Sequence, residues 1–240
     1  GAKMIVNWRW DNLTFGKVSY SFSATNLFLN FVTAISVVLF PSLKRMSTED
    51  LPDFYGNIRK VISPLLFCAL ALYFPLCKIL EMWLPKYVQS LYYIGILLPI
   101  IIFASKVSLL TDNYLKAYRK EKSMLIINLI AVTLGMTMFL ICAYALKNLD
   151  LLLYSVVFIV FFRSVLSEIV VMKIIGKNFI KEFIIELILT VAFIFITVKV
   201  DGLVKGFVIY TVILCAYLIY EYFNKIIKLF KKDKSLDEEK

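Results

Sequence analysis

Residues 151–172 read LLLYSVVFIVFFRSVLSEIVVM. A helix needs about 20 mostly apolar residues to cross the hydrocarbon core of a bilayer, and this run has that length. One side of it is polar: at about 100° per residue, Arg163, Ser164, Ser167 and Glu168 fall within an arc of roughly 140°. A charge at bilayer depth costs roughly 3 kcal/mol on insertion scales, so Arg163 faces a protein interior or a watery cavity rather than acyl chains. A guanidinium keeps its charge at any working pH and takes phosphate through two parallel hydrogen bonds. Arg163 is therefore a candidate anchor for an anionic ligand. The rival reading is a structural ion pair, for instance with Glu186.

The rest of the chain repeats the pattern. Of its 240 residues 61% are hydrophobic, and the mean hydropathy is +0.82. Soluble domains carry about 45–50% apolar residues, so the chain belongs among integral membrane proteins. Seven runs of spanning length follow one another, near 15–39, 61–83, 91–110, 124–146, 151–172, 183–198 and 203–222. The first is expected to stop at Pro41, the second to kink at Pro64 and Pro75, and the third to bend around Pro99. Asp201 and Gly202 supply the turn before the last run. The short alternating segments of a membrane β-barrel are missing, so the expected fold is an all-α polytopic bundle. Residues 1–230 read as one transmembrane domain and 231–240, KKDKSLDEEK, as a disordered charged tail.

Seventeen lysines and arginines fall on one side of these runs and eight on the other, with Lys106 and Arg163 inside them. The basic side is expected to be cytoplasmic, which places the start of the chain outside and its end inside. On this count Arg59 and Lys60 belong to a cytoplasmic connection. Trp83, Tyr87, Tyr92 and Tyr93 fit an aromatic belt at the outer interface. The formal charge of +10 thus marks topology and contact with membrane lipids, not nucleic acid.

Other polar groups enter the runs. Ser19, Ser23, Asn26, Asn30 and Thr33 share one face of the first, lining either a hydrated cavity or a hydrogen-bonded helix seam. Lys106 lies several residues inside the third and either snorkels to the interface or lines the cavity. Glu168 is poorly spaced to pair with Arg163 in its own helix. Glu168 and Glu186 are candidates for an ion pair or a relay. The chain has no histidine, and its four cysteines lack paired ligand spacing. No metal, no cofactor and no catalytic group is expected.

Several stretches carry a family likeness: FGKVSYSFSATN at 15–26, LFPSLKR at 39–45, EMWLPKYVQS at 81–90 and YLKAYRKEKSMLIINLI from Tyr114. In order and spacing, from about Phe15 to Leu129, they resemble the carboxy-terminal half of bacterial polysaccharide-unit flippases of the O-antigen and capsule type. These belong to the multidrug/oligosaccharidyl-lipid/polysaccharide exporter superfamily. The resemblance implies two six-helix lobes around a central cavity, with an extra helix pair at the end. It also implies alternating-access passage of polyprenyl-pyrophosphate-linked oligosaccharide across the inner membrane. On it, the chain is a fragment whose partner would be a missing amino-terminal lobe. Arg163 and Lys106 would hold the pyrophosphate, and Asn26 and Asn30 would meet sugar hydroxyls. The alternatives are a multidrug or cation exporter of the same superfamily, or a membrane enzyme of glycan assembly.

Overall fold

A computed structural model describes residues 2–46, 49–83 and 88–237. Among these the chain is helical, with no strand. The elements are α1 (Ala2–Arg9), α2 (Asn12–Arg45), α3 (Leu51–Ala71), α4 (Tyr73–Trp83), α5 (Val88–Leu97), α6 (Ile100–Lys106), a π turn (Val107–Thr111) and α7 (Asp112–Ala117). They continue with α8 (Glu121–Leu140), a second π turn (Ile141–Ala145), α9 (Leu149–Ile175), α10 (Ile180–Lys199) and α11 (Leu203–Asp237).

Among the described residues five helical stretches are long and apolar enough to cross a membrane: Leu51–Met82, Ser90–Ala117, Glu121–Ala145, Leu149–Ile175 and Leu203–Tyr222. The protein is a helical membrane bundle. The sixth expected run falls on α10, which has 20 residues but too many charges to join the five. Every 18-residue stretch of it holds Glu182, Glu186 and either Lys181 or Lys199. The first expected run falls on α2, many of whose side chains, Thr33 included, lie outside the described residues. So do the side chains of Trp83 and Tyr87.

The helix ends follow local chemistry. Asp11 caps α2, accepting the Leu13 and Thr14 amides at 3.1 Å each. The Thr14 hydroxyl also donates to it, and these bonds hold its carboxyl below the usual carboxylate range. The expected stop at Pro41 does not occur: α2 runs through it to Arg45, since a single lost bond is tolerated in a membrane helix. Pro64 likewise leaves α3 unbroken, whereas the helix does break at Leu72. That is the turn in which Pro75 withholds the N–H that Ala71 would need. Pro99 separates α5 from α6, and the chain bridges it with short i→i−3 bonds from Ile101 and Ile102. α9 starts on Asn148, whose side chain accepts from Leu151, and ends on Gly176 at φ 71°. There the left-handed C′ position suits a residue without Cβ. α11 continues to Asp237, through the first seven residues of the charged stretch expected to be disordered; residues 238–240 lie outside the described residues.

The segment from α5 to α7 is the hub. Some 89% of its apolar stretch is buried inside the bundle, against 17–44% for the other four. α2, α3, α9 and α10 pack around it, and α8 and α11 lie outside α9 and α10 respectively. Toward one end, Leu43, Tyr55, Tyr114, Val171 and Phe179 form a cluster; it gathers the chain segments flanking the most basic connections. At the other end α1, unforeseen in the sequence, tucks Ala2, Ile5 and Val6 against Tyr93, Cys142 and Leu152. Between them Phe74, Phe193 and Tyr210 meet edge-on or tilted at 5.2–6.0 Å between ring centroids. Gly95 admits the closest approach: a Cβ there would lie 2.3 Å from Thr197 Cγ2 and 2.6 Å from the Tyr73 hydroxyl.

Candidate functional site

Four charged side chains from four helices meet inside the bundle: Arg59 of α3, Lys106 of α6, Glu168 of α9 and Glu186 of α10. None is more than 2% exposed. Arg59 lies eight residues into α3 and Glu186 six into α10, so the group sits roughly 10 Å inside the basic end. Lys106 Nζ donates to Glu168 Oε2 at 3.1 Å and, more closely, to Glu186 Oε2. Arg59 pairs with Glu168 and donates to Glu186 Oε2 at 3.3 Å. Ser63, one turn beyond Arg59, donates to Glu186 Oε1 at 2.7 Å. The Arg59 guanidinium lies 5.3 Å from the Phe179 ring centroid, and Lys106 Nζ 5.4 Å from that of Phe183. Two cations and two anions make the knot neutral as a whole. That neutrality allows it to stay buried, since an unmatched charge there would face a large desolvation cost.

A narrow pocket of about 20 Å³, room for a water molecule or two, reaches this knot between α3, α10 and α11. Arg59, Ser63, Glu182, Glu186, Tyr217 and Glu221 line it. Among the described residues, no group of three or more acidic or cysteine side chains is placed to hold a metal ion.

Arg163 stands apart from the knot. Its partner is Asp112 of α7, not Glu186, with Nη2 donating to Oδ2 at 3.3 Å. The pair is partly open: Arg163 is 33% exposed and Asp112 15%. The Arg163 Nε has no hydrogen-bond partner. Asp112 directly follows the π turn at Val107–Thr111, which Lys106 directly precedes. The hub is thus tied to α9 twice with reversed polarity: a hub cation meets Glu168, and a hub anion meets Arg163.

Asn26 and Asn30 lie elsewhere again. Ser23, Asn26 and Asn30 are exposed, and Ser19 is partly so. α2 turns its other side to the bundle, where Ser21 donates to the Ser90 carbonyl and Ser36 to the Ser108 carbonyl. Asn113 in turn donates to Ser36 Oγ at 3.0 Å. Of the described stripe residues, Ser23 meets Lys3 of α1 at 3.4 Å, while the hydrogen bonds from α2 to the hub are made by Ser21 and Ser36 beside the stripe.

The four proposed ligand-binding residues are therefore not one constellation. Lys106 neither snorkels nor lines an open cavity; it ends on two carboxylates. Glu168 and Glu186 share one site, which Arg163 does not enter. Arg59 and Ser63 were missed as members of that site, because Arg59 read as part of a connection. Their i, i+4 spacing behind Pro52, a residue favoured in the first helical turn, was the available signal.

Comparison with protein families, with characterised proteins and with solved structures gives no match to this chain.

Proposed function

We propose that the chain forms seven spans of the carboxy-terminal part of a flippase, one that moves polyprenyl-pyrophosphate-linked oligosaccharide across the bacterial inner membrane by alternating access. The observation that carries this reading is the outward polar face of α2. Ser23, Asn26 and Asn30 are exposed, and on this reading α2 crosses the bilayer, where hydrocarbon offers amides no partner. Such a face needs water, a sugar-bearing ligand or a second polar surface against it, and a cavity shared with another lobe provides all three. On this reading the basic end is cytoplasmic, and the amino-terminal lobe of the same protein closes the cavity. Asn26 and Asn30 offer neutral donors and acceptors to glycan hydroxyls. Arg163, one-third open to its surroundings, holds the pyrophosphate through charge-assisted bonds.

The buried knot supports this reading over a cation exporter. Both deep carboxylates, Glu168 and Glu186, are already matched by Lys106 and Arg59, which favours an anionic cargo over a cationic one.

The test is the flux of a fluorescent lipid-linked oligosaccharide into vesicles carrying the complete gene product. Replacing Asn26 and Asn30 together by Ala, or Arg163 by Gln, abolishes or strongly slows flux at normal assembly. Unchanged flux in both variants would sink the assignment.

A further inference from the structure

We propose that Asp112 is a displaceable counter-ion. It occupies Arg163 when no ligand is bound and yields the guanidinium to a phosphate oxygen when one arrives. This deepens the flippase reading and rests on it for the identity of the phosphate carrier; the exchange itself is argued from geometry.

A guanidinium has five N–H donors in a fixed fork, and carboxylates commonly take two in parallel. Here Asp112 takes one, at 3.3 Å, beyond the usual range for such a bond, while Nε is left unsatisfied. The knot shows the contrast: each of its two cations is sealed and meets both carboxylates, and Glu186 takes three donors in full burial. Arg163 instead meets a single carboxylate oxygen and keeps a third of its side chain open, the surface by which a second anion reaches it.

The released carboxylate also stays within reach of a positive charge. Lys116 lies one helical turn beyond Asp112 on α7 and acts on it electrostatically. Acid before base at i, i+4 is the favourable order for such a pair. Asp112 itself follows a π turn, a wide turn with one residue more than α geometry allows, often found where a helix carries function. That extra residue rotates α7 relative to α6. Asp112 thereby meets Arg163 while Lys106 meets Glu168 and Glu186. Arg163 thus trades Asp112 for phosphate, while the Lys116 charge continues to act on the released carboxylate. When the ligand leaves, the carboxylate returns, so the guanidinium is never bare at depth.

The experiment measures equilibrium binding of polyprenyl pyrophosphate to the complete gene product in phosphatidylcholine nanodiscs, by native mass spectrometry. Asp112→Asn and Asp112→Ala are expected to tighten binding by about five-fold, since each removes a competitor. Arg163→Gln is expected to lose it. Parallel arms use inorganic pyrophosphate and discs containing phosphatidylglycerol. A gain confined to phosphatidylglycerol supports the exchange and names the bilayer's own phospholipid as ligand. A gain with the polyprenyl lipid, or with inorganic pyrophosphate too, supports it with pyrophosphate as ligand. Unchanged or weaker binding in both Asp112 variants overturns the proposal, because Asp112 would then only position Arg163. Collapse of both variants also overturns it, because a displaceable partner is dispensable to the fold. Failure of the flippase reading appears separately, as unchanged oligosaccharide flux in the α2 and Arg163 variants.

Discussion

The knot and the Arg163–Asp112 pair lie along the same two strips of chain, the hub and α9, yet they are opposite solutions to one problem. In the knot, four ions are sealed at 1–2% exposure and share partners. In the pair, two ions touch once and stay partly open. Sealed charges demand neutrality and hold helices together; open ones can change partners. Burial, more than the kind of residue, separates scaffold from working part.

The largest expected effects come from unbalancing the knot. Lys106→Met or Glu186→Leu leaves a buried charge unmatched and costs about 3–5 kcal/mol, read as loss of the folded fraction in a detergent unfolding titration. The double variant, which removes one charge of each sign, recovers most of that loss. If it is no better than the singles, the knot is not held by charge balance. Ser63→Ala removes one donor from Glu186 and is expected to cost about 1–3 kcal/mol in the same assay. Arg163→Gln and Asp112→Asn break a partly exposed pair and cost about 1 kcal/mol or less, so stability and transport separate at this site. A loss as large as that of the knot variants would erase the contrast between the two regions.

The smallest effect belongs to the fully exposed case, the Asp11 cap. Its carboxyl titrates lower in the folded chain than in the unfolded one. The cap's contribution is therefore present above the unfolded pKa and is lost as pH falls through the folded value. Asp11→Ala at neutral pH, or acidification of the unmodified protein, speeds hydrogen exchange of the Leu13 and Thr14 amides and leaves the bundle intact.

The helical membrane bundle was legible because hydropathy and length act over 20 residues and survive local errors. Prolines were less legible, since the same residue passes through α2 at Pro41 and divides the hub at Pro99. Neighbouring packing decides which bonds can be given up. The polar face of α2 was visible as a stripe, but which way it turned required the bundle. The knot was half-visible. Lys106, Glu168 and Glu186 stand out in apolar runs, whereas Arg59 sits near a helix start and passes for a marker of topology. Which cation meets which carboxylate is set by tertiary contacts across 62 to 127 residues, beyond the reach of any local pattern.

Those separations carry a consequence for biosynthesis. Ribosomes add about 5–20 residues per second, so at roughly 10 per second Arg59 is made some 13 seconds before Glu186. Lys106 precedes Glu168 by about 6 seconds on the same clock. During that interval the nascent chain holds two cations whose counter-charges do not yet exist. Both must wait near the aqueous mouth of the translocation machinery or at the lipid headgroups, and the early helices can seat fully only once α10 has been delivered.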